Sequence, residues 1–207
     1  MLSNRSEAGK LLAEKLSHLK GNEIAVLAIP RGGVVVGDEI AKALGCTLDV
    51  VISKKINPPG HPEYAIGAIM PDGTTHWNED MSKFMQNPYL INEINEKKSQ
   101  AQRNLLAFRQ NEDYNLYNKT VILVDDGIAT GSSVFVILKW LTKHNPKKTV
   151  VAAPVIPAQT YEEIKKVSEV AALLFPSAFY AVSDYYEEFK QVSDEQVKSI
   201  LEKYRMQ

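Results

Sequence analysis

The residues best suited to chemistry stand together at 121–133, which read V-I-L-V-D-D-G-I-A-T-G-S-S. An apolar strand ends in two adjacent acids, Asp125 and Asp126, and a loop of small residues then opens a helix. Gly127, Ala129 and Gly131 carry little or no side chain, so several backbone N–H groups of this loop can converge on one phosphate. The helix that follows adds the positive end of its dipole. Thr130, Ser132 and Ser133 can add hydroxyl donors. A phosphate held there would repel Asp125 and Asp126, so the acids must face another part of the ligand. Paired vicinal hydroxyls are their natural partner, because a carboxylate accepts two hydrogen bonds well. The ligand that fits is a ribose 5-phosphate. A nucleotide P-loop fits poorly, since no Lys follows the loop glycine, and no Gly-x-Gly-x-x-Gly pattern is present. The plainer reading is a strand, a turn and a capped helix with no ligand, but two acids at a buried strand end would then be costly.

These residues need a sheet to hold them. The spacing of Ala8, Leu11, Leu12, Leu16 and Leu19 predicts an amphipathic helix stopped at Gly21. A short apolar run at 24–29 predicts a buried strand, and P-R-G-G at 30–33 a tight loop. Val36, Ile40, Ala43 and Leu44 continue at helical spacing to Gly45. Further strands are expected at 48–53, closed by Lys54 and Lys55, and at 65–70, 121–124, 149–153 and 170–175. A loop is expected at 57–62 and a turn at 71–73. Long helical spacing covers 89–110, with Leu90, Ile94, Ala101, Leu105 and Phe108 inward. Val136, Ile137, Trp140 and Leu141 mark a helix after the 127–133 loop, and another is expected near 161–167. Short apolar strands alternating with helices predict an α/β fold with an open, mainly parallel sheet and helices on both faces. Ligands in such sheets bind beyond the carboxyl ends of the strands, near a topological switch. The end of the chain differs. Residues 178–189 are aromatic and acidic without a clear period. Ser193 to Gln196 then has capping-box spacing ahead of a last amphipathic helix through Val197, Ile200, Leu201 and Tyr204.

The chain has 207 residues, 44% of them hydrophobic and 24% charged, with a formal net charge of -1. That balance suits one globular domain and gives no sign of a nucleic-acid tail or a membrane-binding face. The lone Cys46 excludes an internal disulfide and a multi-cysteine zinc site. It reads as a small apolar residue between a helix end and a strand. No apolar run approaches the ~20 residues of a spanning helix. The N-terminus is polar and amphipathic, unlike a signal peptide, so the cytoplasm is the expected compartment.

The 121–133 segment resembles the 5-phosphoribosyl 1-diphosphate (PRPP) motif of the type I phosphoribosyltransferases: four hydrophobics, two acids and a Thr-Gly phosphate loop. The resemblance extends over most of the chain. It is closest to short phosphoribosyltransferases of undefined substrate, which share the P-R-G-G loop and a stretch like G-H-P-E-Y-A-I-G at 60–67. It implies one phosphoribosyltransferase-like domain over 1–207, with 176–207 as a C-terminal hood. Asp125 and Asp126 would take the ribose hydroxyls, and also Mg²⁺ through water. Gly127, Ala129, Thr130, Gly131, Ser132 and Ser133 would take the 5-phosphate. Arg31, Gly32 and Gly33, beside what is often a non-proline cis peptide in the family, would take the pyrophosphate with Lys54 and Lys55. His61 has two readings, a loop residue that reaches the diphosphate or a turn histidine.

The implied reaction is displacement of pyrophosphate from PRPP by a nitrogenous base or amine, with Mg²⁺ as the cofactor. The alternatives are a non-catalytic module that senses PRPP or a nucleotide, and a protein-interaction role with a residual site. A homodimer is compatible with the resemblance, and nucleic-acid and membrane partners are not expected. The sequence also departs from its relatives. Enzymes acting on 6-oxopurines have an acid where Ala129 stands, which weakens a hypoxanthine–guanine reading. The loop at 57–62 is short and Pro-rich, less basic than in orotate enzymes. The acceptor is therefore sought in the tail, where Phe179, Tyr180, Tyr185, Tyr186 and Phe189 offer stacking surfaces worth ~1–3 kcal/mol per base. The expectation there is mixed: most of these rings buried as structure, and at least one facing the cleft above Asp125.

Overall fold

The computed structural model describes residues 1–21, 23–58, 65–78, 88–109, 111 and 113–205. In chain order its elements are α1 (Arg5–Lys15), β1 (Ile24–Ala28), α2 (Gly32–Leu44), β2 (Thr47–Val50), β3 (Lys54–Ile56), β4 (Gly67–Ile69), β5 (Thr75–Trp77), α3 (Pro88–Phe108), β6 (Thr120–Val124), α4 (Ser132–Leu141), β7 (Lys148–Val155), α5 (Ala158–Lys165), β8 (Glu169–Leu174) and α6 (Asp194–Arg205). They form two compact units. One comprises Met1–Val51, Asn115–Thr130 and Asn145–Gln207, the other Ile52–Tyr114 and Gly131–His144.

The first unit is built on a five-stranded parallel sheet in the order β2-β1-β6-β7-β8. Every residue of β1 and of β6 is buried, as near-continuous Val/Ile/Leu runs inside a parallel sheet should be. From β1 the chain winds outward to β2, then returns to β6 and winds the other way to β7 and β8. The switch point therefore lies between β1 and β6, the place where such sheets bind ligands. Their register is direct, with Val26 opposite Ile122 and Ala28 opposite Val124. Helices α1 and α2 lie against each other and against the sheet. Gly9 makes that approach close, since a Cβ there would sit 2.8 Å from the Val36 carbonyl. Ala8, Leu12, Leu16 and Leu19 are buried as expected. Leu11 is 37% exposed, because the Ala8–Leu12 and Gly9–Ala13 rows take the inner face. Ala43 is likewise exposed.

The expected 48–53 strand stops at Val50. Its neighbour β1 ends at Ala28, so the last bond between them is Val51 N–H to the Ala28 carbonyl, 3.0 Å. Lys54 and Lys55 do not close β2; they begin β3, in a separate sheet of the second unit. That sheet is antiparallel, β3-β4-β5, so the 65–70 run is not a parallel strand. Pro71 and Asp72 turn the chain, Gly73 takes φ 91°, and Met70 and Thr74 bond across the hairpin (2.8 Å). Helices α3 and α4 pack on this sheet, with Ile56, Ile66, Ile69 and Leu90 as its core.

Candidate active site

Asp125 and Asp126 follow β6 directly. After β1 the expected loop is only Pro30 and Arg31, because Gly32 and Gly33 already form the first turn of α2. The two segments fit each other through glycine. A Cβ on Gly32 would overlap the Asp126 carboxylate and stand 2.7 Å from Arg5 Nε; one on Gly33 would stand 2.8 Å from the Val124 carbonyl and 3.0 Å from Asp125 Cα. P-R-G-G and D-D are thus one packed construction. The main chain ties it: Ile29 N–H donates to Val124 O (2.8 Å) and Asp125 N–H to Ala152 O (3.1 Å). The Pro30–Arg31 peptide is cis.

Asp126 is engaged at its side chain, its N–H and its carbonyl. Its Oδ2 accepts from Arg5 Nε at 2.6 Å, and both side chains are mostly buried. Its N–H donates to Asp125 Oδ1 at 2.8 Å, and its carbonyl accepts from the Tyr186 hydroxyl at 2.7 Å. Burial, then the Asp126 charge, push the Tyr186 hydroxyl far above its ordinary pKa, so it is a permanent donor. Arg5 is itself held by the Lys190 carbonyl, 2.7 Å from Nη1, and its guanidinium lies 3.7 Å over the Phe189 ring.

The phosphate-loop candidates lie along the chain that leaves Asp126. Gly127 admits Val182, which a Cβ would overlap. Ile128 N–H bonds Val155 O (3.0 Å). The Ala129 carbonyl accepts from the buried Thr160 hydroxyl on α5 at 2.8 Å. Thr130 is exposed. In the second unit, Gly131 takes φ 76°, a left-handed conformation that lets α4 start at Ser132. Ser132 is buried and its hydroxyl donates to Asn78 Oδ1 (2.9 Å). Ser133 is half-buried.

Arg31 is half-exposed and pairs through Nε with Asp194 at 2.7 Å. Asp194 is the first residue of α6, whose capping box is present in both directions: Ser193 N–H to Gln196 Oε1 (2.9 Å) and Gln196 N–H to Ser193 Oγ (3.2 Å). Lys54 is half-buried and Lys55 exposed, both on β3. His61 lies outside the described residues. Of the tail rings, only Tyr186 is buried. Phe179, Tyr185 and Phe189 are half-buried and Tyr180 is 91% exposed. Burial of most of the cluster therefore does not hold: residues 178–185 run along the surface, with Phe179 stacked on Tyr185 (5.7 Å).

Arg5, Thr160, Asp194 and the Tyr186 hydroxyl escaped the sequence reading. One signal was available for Arg5. A cation in the first turn of a helix opposes the dipole, so its presence at the start of α1 asks for another partner. Among the described residues, no group of three or more His, Cys, Asp or Glu is arranged to hold a metal ion. Nor is any helix long and apolar enough to cross a membrane.

Known proteins resemble the chain over most of its length. The Thermus thermophilus protein TT1426 superposes with a TM-score of 0.83 at 37% identity, over 99% of each chain. A Staphylococcus aureus hypoxanthine phosphoribosyltransferase shares the fold, with TM-score 0.53 and 11% identity over 86% of this chain and 78% of that one. Rv0571c of Mycobacterium tuberculosis, which carries the provisional name of a phosphoribosyl transferase, is 34% identical over 98% of this chain. The chain spans about half the length of that relative, 47%. Residues 4–190 match the family model described as the phosphoribosyl transferase domain, and the chain belongs to that family.

Proposed function

We propose that this chain binds PRPP beyond the carboxyl ends of β1 and β6 and transfers its phosphoribosyl group to a nitrogenous base or amine, releasing pyrophosphate. The observation that carries the reading is the mutual fit of Gly32 and Gly33 with Asp125 and Asp126 at the switch point of the sheet. In this assignment Asp125 and Asp126 accept from the ribose hydroxyls and orient the anomeric carbon. Gly127, Ala129, Thr130, Gly131, Ser132 and Ser133 hold the 5-phosphate through backbone N–H groups and the Thr130 and Ser133 hydroxyls. Arg31 serves the leaving diphosphate with the Gly32 and Gly33 backbone, Lys54 and Lys55. Residues 176–207 act as a hood of the single domain. The protein's work is positioning and charge stabilisation rather than covalent chemistry.

The donor set fits Mg²⁺ in an outer role. Two hard carboxylates stand together, but Asp126 Oδ2 is already engaged by Arg5, so Asp125 and Asp126 would hold the ion through water, with substrate oxygens as its direct ligands. When bound, Mg²⁺ neutralises charge on the diphosphate.

The test is pyrophosphate release from PRPP with Mg²⁺ and a panel of bases and amines. Release that needs both Mg²⁺ and an added acceptor is expected. PRPP binding with no release for any acceptor would favour the sensing module instead. Binding unaltered in the Asp125→Asn/Asp126→Asn double variant would sink the ribose assignment.

A further inference from the structure

We infer that Arg5 is a positioning residue of the sugar site, acting through Asp126; the inference rests on the ribose role proposed for that acid. Four contacts converge on the pair. Arg5 Nε binds Asp126 Oδ2 at 2.6 Å, Nη1 binds the Lys190 carbonyl at 2.7 Å, the guanidinium rests 3.7 Å above Phe189, and Tyr186 holds the Asp126 carbonyl at 2.7 Å. The planar fork of arginine can serve two acceptors and a ring face at once, which a lysine cannot.

Arg5 is held beside a clasp between residues 2–3 and residues 185–188. Leu2 N–H donates to Tyr185 O (2.9 Å), Glu187 N–H to Leu2 O (2.8 Å) and Glu188 N–H to Ser3 O (2.9 Å). Leu2 and Tyr186 form a parallel bridge over a small core with Ala8. The clasp sets the start of α1, and α1 sets Arg5. Asp126 is thereby fixed with Oδ2 engaged, leaving its other oxygen to accept from one ribose hydroxyl or a metal-bound water. A carboxylate free to rotate would lose that orientation, and a buried one without its cation would be costly.

Calorimetry with two probes tests this: ribose 5-phosphate, which needs the acid, and inorganic phosphate, which needs only the loop. Arg5→Gln is expected to weaken ribose 5-phosphate about tenfold or more, the loss of a charge-assisted bond, while inorganic phosphate binds as before. In an Asp126→Asn background the same change should alter ribose 5-phosphate affinity less than about twofold, since the partner is already gone. A full further loss in that background means that Arg5 does not act through Asp126 and overturns the inference. So does equal affinity in wild type and Arg5→Gln. If Arg5→Gln does not fold, Arg5→Lys, which keeps the charge and loses the fork, takes its place: weakened ribose 5-phosphate with unchanged phosphate supports the role, and unchanged affinity for both overturns it. Wild-type protein that binds neither probe refutes the site reading itself, a result distinct from any difference between variants.

Discussion

Gly32→Ala should damage ligand binding more than stability, and Gly33→Ala the reverse. The new Cβ at position 32 meets the Asp126 carboxylate and comes within 2.7 Å of Arg5 Nε. Side chains can rotate away, so the fold survives, but the Arg5–Asp126 bond does not. That bond is charge-assisted and mostly buried, worth about 1.5–3 kcal/mol, partly offset by the ~1 kcal/mol that alanine gains over glycine in a helix. A net loss of about 0.5–2 kcal/mol lowers the melting temperature by roughly 1–8 °C for a chain of this size. Ribose 5-phosphate affinity should fall about tenfold or more if the displaced carboxylate is the group that takes the sugar, as proposed. At position 33 the Cβ meets backbone instead, 2.8 Å from Val124 O and 3.0 Å from Asp125 Cα. The central strand cannot swing aside, and overpacking costs about 1–3 kcal/mol. Thermal melting and calorimetry on both variants make the comparison. Gly32→Ala with wild-type affinity for ribose 5-phosphate would refute the reasoning.

Thr160→Val removes the donor to the Ala129 carbonyl at nearly constant volume; stability should fall by about 1–2 kcal/mol and inorganic phosphate affinity severalfold, and an unchanged phosphate titration would count against a loop-setting role. Burial pushes the Cys46 thiol up to about 11 from 9.0, so iodoacetamide at pH 8 should label the native protein about a hundredfold more slowly than the urea-unfolded chain; equal rates would contradict that burial. Burial, then Lys139, hold His76 below its ordinary 6.5, so the folded state resists protonation: stability is complete above that value and is lost as pH falls through the depressed folded pKa. The decline in melting temperature between pH 7 and 5 should be smaller in His76→Phe, and an identical decline would exclude His76 as a contributor. Asp194→Asn removes the partner of Arg31, an exposed pair worth about 0–1 kcal/mol, so diphosphate should bind up to about fivefold more tightly; weaker binding would mean that Asp194 helps to hold the ligand.

The parts of the fold legible beforehand were those set by local pattern. Val121, Ile122, Leu123 and Val124 could only be an interior strand, and they lie in the middle of the sheet. Ser193 and Gln196 cap α6 reciprocally, as their spacing required. The second sheet was not legible because β3, β4 and β5 are three residues each, too short to show a period. Residues 48–53 read as one strand because nothing local reveals that β1 has run out of pairing length at Ala28. The candidate site divides the same way. Asp125, Asp126, Gly127 and Gly131 sit in one motif, whereas Arg5 reaches Asp126 across 121 positions of sequence and Asp194 reaches Arg31 across 163. A spacing rule cannot find partners that only the folded sheet and the clasp of residues 2–3 with 185–188 bring together.

Those two long-range partners differ in a way that bears on how such a site would work. Arg5 and Asp126 are 11% and 16% exposed, while Arg31 and Asp194 are 48% and 47% exposed. Separating the first pair would strand a charge in a mostly buried place and break the bond to Lys190 and the contact with Phe189 as well, and the charge-assisted bond alone is worth about 1.5–3 kcal/mol. Separating the second returns two solvated ends to water and costs at most about 1 kcal/mol. A diphosphate carries more charge than the single Asp194 carboxylate and can take Arg31 from it at little cost. A sugar phosphate has no comparable means of taking Asp126 from Arg5. The acid is therefore a fixed instrument and the base an exchangeable one. That division suits a reaction in which the sugar must keep its orientation while the leaving group departs.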